Sequence, residues 1–424
     1  MSSRFGGLLR SNPAIARLWL AQAVSLVGDW FTLIALSVLV SAETGGSGLA
    51  VSGLLLVQNL PAVVLGPLAG VLADRFDRKR LLVWSDLLRA AIVPFLIFAA
   101  APGRLPLLYV LAFLHFSIST VFEPARSALL PRLVRGDDLV AATTLSTVTW
   151  SVMTAFGGAL GGAVLAAAGL RAAFLVDSLT FLASAALMAP IRTPPPAEGG
   201  RPAGGRVRFT EGVRWAIAHP GIGSAALVKV INGLALVDTF LVLYGTRIFV
   251  RGEGGAVSVG LLYASFGVGA VLGPLLLGRF NDGTIPRMRR LILAGAALIT
   301  SGLLLLCLAA SLPVAALAIV LRGMGGASNW TWSTLILQKG VPDRLLGRLV
   351  AIDVANAQLA AAVASVAWGY GIDRAGVRPM VLTAAALSVP LILAWALALR
   401  WMERRESPGL TAPGRGARPR SRTP

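Results

Sequence analysis

Six ionisable side chains stand inside long apolar runs: Asp29, Asp86, Arg89, His115, Lys229 and Arg322. Placing a charge at the centre of such a run in a bilayer costs at least ~2.5 kcal/mol, so each is a functional candidate. Asp29 lies near the middle of the first run, in Gly28-Asp29-Trp30. A desolvated carboxyl there is held close to its neutral form, and it can collect a proton on one side and release it on the other. That is what proton-coupled exchange requires. The other reading is a permanent ion pair with Arg89, Lys229 or Arg322, and the sequence leaves both open. Asp86 and Arg89, at i and i+3, share a helix face and read as an intrahelical pair with a structural role. Lys229, Arg322 and His115 are placed to line a cavity and attract an anionic substrate; the plainer reading of His115 is a packing histidine with its hydrogen bonds satisfied. Asn232, Asn356 and Gln358 offer hydrogen bonds to a substrate. Asp177, Asp238 and Asp353 stand nearer the ends of their runs and are weaker candidates.

Other chemistries lack their residues. There are two histidines, His115 and His219, and one cysteine, Cys307, which lies in an apolar run. No paired metal-ligand cluster, HxxxxD pattern or Walker-A loop is present, so the expectation is no metal, no cofactor, no ATP-driven step and no enzyme. An integral membrane enzyme, such as a lipid acyltransferase, is disfavoured on these grounds.

The elements that position these residues follow from composition. The chain has 424 residues, 56% hydrophobic and 13% charged. Soluble domains carry about a quarter charged residues. Apolar stretches of bilayer-spanning length recur, without the roughly 10-residue alternation of barrel strands. The fold class is therefore all-α polytopic membrane protein, with 12 transmembrane helices as two six-helix bundles related by pseudo-two-fold symmetry. Spans fall at about 14–41, 49–73, 81–101, 106–122, 139–168 and 172–191, then 221–249, 257–279, 291–311, 313–338, 348–371 and 377–401. Residues 1–13 form a short basic tail, 14–191 the first bundle, 192–220 a Pro/Gly-rich linker with an amphipathic segment, 221–401 the second bundle, and 402–424 a disordered basic tail. The amphipathic segment, with Val213, Ala216 and Ile217 on one face, lies on the membrane surface or simply extends span 7. The first span follows Arg17, is too long for a signal-peptide core, and is expected to remain uncleaved.

Net charge of +19 would suggest nucleic acid in a soluble protein. Its distribution gives a simpler account. With the amino terminus inside, 29 of the 38 Lys and Arg fall on the inner side, 6 in outer loops and 3 within spans. Retention of cations on the inner side explains the basicity, places both termini in the cytoplasm and removes the case for nucleic acid.

Between spans 2 and 3 the chain reads Gly70-Val-Leu-Ala-Asp74-Arg75-Phe-Asp77-Arg78-Lys79-Arg80, echoed by Gly273-Pro-Leu through Asn281-Asp282 between spans 8 and 9. The loop resembles the G-x-L-a-D-r-x-G-r-k/r signature of the major facilitator superfamily, with Asp77 where that family commonly has glycine. Asp86-Leu-Leu-Arg89, Pro124-Ala-Arg126 and Pro342-Asp-Arg-Leu-Leu-Gly347-Arg348 are similar in texture to its macrolide-efflux and enterobactin-exporter-type branch. The resemblance implies a conformational gate of Gly70, Asp74, Arg75, Arg78, Lys79, Glu123, Gly347 and Arg348. In it, Asp74 meets the start of helix 11 near Leu346–Arg348 in the outward-open state, and Arg78 reaches Glu123. Gly157-Gly-Ala-Leu-Gly161-Gly162 loosely resembles an antiporter signature without its proline, and equally suits close helix packing. The expected function is secondary active transport by alternating access, as proton-coupled efflux of hydrophobic or amphipathic small molecules, drug- or siderophore-like, across a bacterial inner membrane. The alternatives are an importer or facilitator of a small solute, and a transport-inactive scaffold or sensor.

Overall fold

A computed structural model describes residues 2–134, 137–193, 209–234 and 238–406. Among the described residues the structure is helical and contains no strand. Helix is the form in which a single apolar segment satisfies its own backbone groups in lipid. In the amino-terminal half lie α1 (Ser2–Ser11), α2 (Pro13–Glu43), α3 (Gly48–Arg75), α4 (Arg78–Ala99), α5 (Leu105–Ser119), α6 (Phe122–Leu133) and α7 (Asp137–Met188). The linker contributes α8 (Phe209–Ala218) and α9 (Pro220–Gly223). The other half holds α10 (Ala225–Leu234), α11 (Asp238–Leu243), α12 (Ala256–Gly278), α13 (Ile285–Leu308), α14 (Leu312–Gly340), α15 (Asp343–Ala375) and α16 (Val377–Glu406). Among the described residues, 9 helical segments are long and apolar enough to cross a membrane.

Local chemistry sets the helix ends. Asn12 caps α2 by accepting from the Ile15 amide at 3.1 Å, with Pro13 at the first helical position. Asp77 caps α4 by accepting from the Arg80 amide at 2.8 Å. With φ at −63°, residue 77 needs no glycine, so a capping carboxylate takes the place of the signature's flexible residue. Spans 5 and 6 are joined within α7 at Gly169, whose φ of 77° reverses the local path. Of the expected seventh span, residues 235–237 lie outside the described residues, and α11 passes directly into a wide helical turn at Tyr244–Ile248. The basic tail at 1–13 is not a loose end; α1 buries Leu8 beside Ile15 and Leu18. α16 continues to Glu406, so residues 402–406 are helical, whereas 407–424 lie outside the described residues.

Glycine permits the closest approaches. A Cβ at Gly161 would stand 2.9 Å from Phe31, and one at Gly162 would stand 2.8 Å from the Gly260 Cα, so the glycine run of α7 lets α2 in on one side and α12 on the other. α3 and α15 also run antiparallel in close contact: a Cβ at Gly48 would meet the Gly369 carbonyl at 2.7 Å. Farther along α3 the partner is lost, and a methyl group at Gly66 or Gly70 would meet no atom within 4 Å. The two halves are therefore joined at the ends of α2, α3, α12 and α15 that carry Ser41, Gly48, Ala256 and Ile372.

Candidate functional site

The first cluster is built on four helices of the amino-terminal half. From α4, Arg89 projects inward with 1% of its side chain exposed. Its Nη1 donates to Asp29 Oδ1 at 3.0 Å, and its Nη2 to Ser25 Oγ at 3.2 Å and to the Asp86 carboxylate one turn back. The rings of Phe181 and Phe122 lie 4.1 and 5.5 Å from the guanidinium carbon, closing the apolar sides of the site. The expected Asp86–Arg89 pair is thus present, but Arg89 is shared between two carboxylates. Of these, Asp86 is fully enclosed and Asp29 keeps 30% of its side chain exposed. Asp29 is at once the partner of a buried cation and the member of the cluster that faces open space.

His115, on α5, is buried with Nε2 3.9 Å from Asp29 Oδ1. Among the described residues neither ring nitrogen makes a hydrogen bond to protein, so the partners expected of a packing histidine are not found there. Its ring instead lies edge-on to Phe116 at 5.1 Å and tilted against Phe181 at 5.6 Å. Asp177, ranked low from sequence because of its position along the run, is fully buried on α7 and accepts from Thr32 Oγ1 of α2.

A second cluster occupies the other half. Lys229 of α10 pairs with Asp353 of α15 and donates to Thr334 Oγ1 of α14 at 3.0 Å. Trp330 lies 4.2 Å from its ammonium. Lys229 and Asp353 are 2% and 0% exposed, so the pair is removed from water. Asn232, one turn from Lys229, donates to the Gly326 carbonyl at 3.2 Å, and among the described residues its Oδ1 accepts no hydrogen bond. Asn356 is half-buried on α15, and Gln358 donates to Asn59 Oδ1 across the two halves at 3.5 Å. Arg322 of α14 is buried, with its guanidinium carbon 5.3 Å from the Phe266 ring and the Asp238 carboxylate as an acting opposite charge.

Around the signature loop, Arg75 is exposed and Lys79 donates to the Ala189 carbonyl at 2.7 Å, tying the loop to the end of α7. Glu123 does not receive Arg78. It takes both arms of Arg126 one turn along α6, at 2.9 and 2.5 Å, and Ser127 at 3.1 Å. The i,i+3 neighbour within one helix needs no loop ordering and wins over the distant cation. Among the described residues Arg78 Nε makes no hydrogen bond. Asp74, Gly347 and Arg348, three of the eight residues of the expected gate, are outside those whose side chains are described. Among the described residues no group of three or more His, Cys, Asp and Glu could hold a metal ion.

Helices long and apolar enough to cross a bilayer thus enclose two buried charge clusters, one in each half. A family model described as transmembrane secretion effector matches residues 8–413. The chain belongs to that family of major facilitator transporters. Macrolide efflux protein A of Streptococcus pyogenes is 26% identical over 390 residues, which is 88% of this chain and 92% of that one. The uncharacterised MFS-type transporter YfiS of Bacillus subtilis (strain 168) is 32% identical over 181 residues, 43% of each chain, so this chain spans less than half the length of that relative. The crystal structure of the nucleoside transporter NupG superposes with a TM-score of 0.70 at 11% identity, covering 91% of this chain and 98% of that chain. At that identity it supports the fold alone. The transporter is accordingly a multi-pass membrane protein, and its relatives include an efflux protein.

Proposed function

We propose that this transporter is a proton-coupled exporter of hydrophobic or amphipathic small molecules, with Asp29 as the proton-carrying group. The observation that carries the reading is the unequal exposure within one ion cluster. Arg89 is enclosed and bound to two carboxylates, of which only Asp29 is open, at 30% exposure. Protonating Asp29 leaves Arg89 paired with Asp86, so a proton can enter and leave without stranding a buried cation, which would cost several kcal/mol. The proton thus changes the charge of the cavity wall while the helix positions hold. Lys229, Asn232, Asn356 and Arg322 line the opposing half as substrate contacts, and the largely apolar walls suit a substrate that partitions from lipid.

The halves 14–191 and 221–401 rock about this site in alternating access. With both termini cytoplasmic, as the cation distribution favours, the face joined at Gly48 and Gly369 is outer and the present state opens inward. Everted membrane vesicles under an imposed proton gradient test the coupling through accumulation of a hydrophobic dye. Gradient-driven uptake that disappears in Asp29→Asn supports it. Uptake that persists in Asp29→Asn removes Asp29 from the role, and uptake indifferent to any gradient removes proton coupling altogether.

A further inference from the structure

α3 and α15 meet in a register that repeats along both helices. Gly48 lies against Gly369, and Asn59 lies opposite Gln358, eleven residues farther along α3 and eleven residues back along α15. At the joined end, Asp373 closes the contact. Its carboxylate takes the Ser47 hydroxyl at 2.9 Å, the Gly48 amide at 2.5 Å and the Leu49 amide at 3.0 Å. These are the free donors of the first turn of α3, where the helix dipole favours an anion. Arg247 stands alongside, donating to the Gly46 carbonyl at 3.2 Å, and Ser41 donates to Thr246 at 2.8 Å. Just inside, Ser52 and Thr239 are 3.1 Å apart. All of these contacts cross between the halves.

Farther along α3, residues 66 and 70 have open space beside them.

We propose that α3 and α15 form a clasp between the halves and that Asp373 is the positioning residue that holds its outer end closed. The cap belongs to one half and the capped helix to the other, so the halves can part at this end only by releasing it. Asp373 biases the transporter toward the state seen here, and the proton and substrate act against that bias. The inference rests on the alternating-access reading but not on the coupling ion or the substrate.

Two reporter cysteines test it in a Cys307→Ser background. Ser52→Cys lies behind the outer cap, and Gly66→Cys lies in the open space of the other face. Each is alkylated in native membranes by an impermeant maleimide, without substrate. Asp373→Ala should raise labelling at position 52 and lower it at position 66, moving the ratio of the two rates by roughly 5- to 30-fold, the factor that one or two kcal/mol produces. An unchanged ratio overturns the clasp. A rise at both positions means general loosening and also overturns it. Gly369→Trp, a wedge where a Cβ alone would stand 2.4 Å from Ser52 Oγ, provides the comparison. If the wedge gives the reciprocal change and Asp373→Ala does not, alternation stands and the clasp falls. If neither does, alternating access itself is refuted, and the clasp with it.

Discussion

Removing one partner of the Lys229–Asp353 pair should destabilise the transporter far more than removing both. The pair is 2% and 0% exposed, so neither charge can turn to water when the other is lost. In Asp353→Leu the ammonium keeps only the Thr334 hydroxyl at 3.0 Å and the face of Trp330 at 4.2 Å. A buried cation over an aromatic face recovers about 2 kcal/mol at most. Breaking a buried ion pair costs about 3–5 kcal/mol because the surviving charge is stranded. The residual contacts with Thr334 and Trp330 argue for the lower end of that range in Asp353→Leu. Lys229→Met strands an anion with no such ring, and the upper end is expected. The double variant Lys229→Met/Asp353→Leu leaves no charge behind and should return to within about 1 kcal/mol of the parent, as apolar replacement of buried pairs does elsewhere. The assay is reversible unfolding of the purified protein in mixed SDS micelles, fitted for all four corners of the cycle. Single variants that each cost under 1 kcal/mol, or a double variant as unstable as the sum of the singles, would refute the reasoning. Transport in the stable double variant then separates roles: retained export makes the pair structural, and lost export makes it part of the substrate wall.

Gly162→Leu places its Cβ 2.7 Å from the Ala256 carbonyl and 2.8 Å from the Gly260 Cα, backbone atoms that cannot swing aside, so a loss of about 1–3 kcal/mol is expected in the same micelles. Gly66→Ala, with nothing within 4 Å, should be neutral or stabilising. Asp77→Ala removes the cap on the Arg80 amide and should lower stability by about 1 kcal/mol, whereas Asp77→Gly, the residue of the family signature, should cost only a few tenths. Burial pulls Asp373 upward, but the Leu49 and Gly48 amides and the Ser47 hydroxyl outweigh it and hold the carboxyl below its usual range, with Arg247 as the acting cation. A depressed carboxyl contributes its closing effect in full above the ordinary value near 3.9 and loses it as the pH falls through the lowered one. Maleimide labelling at Ser52→Cys should therefore stay low through neutral and mildly acidic pH and rise only in strong acid, a step that Asp373→Ala abolishes.

Most of the fold was legible because the bilayer imposes length and polarity on every span. Hydropathy places α2, α3, α4, α12, α13, α14 and α16 within a few residues. It does not see the wide turn at Tyr244–Ile248, because Leu241, Val242 and Leu243 before it are as apolar as a straight helix would require. Contacts between sequence neighbours were also legible: Asp86 and Arg89 follow from the helical repeat. The same rule explains the error at Glu123, where Arg126, three residues away, claims the carboxylate expected for Arg78. Partners far apart in the chain were not legible. Lys229 and Asp353 are 124 residues apart, Thr32 and Asp177 are 145, and Asp373 and Gly48 are 325. A signal was present for the first of these: a lysine midway along an apolar run requires an anion, and Asp353 is among the few acids within a span of the same half. For His115 the sequence carried no such signal, since whether its nitrogens find partners depends on which side chains of α2, α4 and α7 turn toward it.

The glycine seam between α7 and α12 has a mechanical consequence. Helices usually hold their relative position because side chains of one sit in the hollows of the other, and sliding means lifting each out of its hollow. At Gly162 and Gly260 there are no such side chains, and main chain rests on main chain. The surface is smooth, and a few degrees of roll trade one carbonyl contact for the next with little barrier. The seam thus works as a bearing: it carries load between the halves while leaving their angle free. What fixes the angle is left to the few polar contacts at the rims.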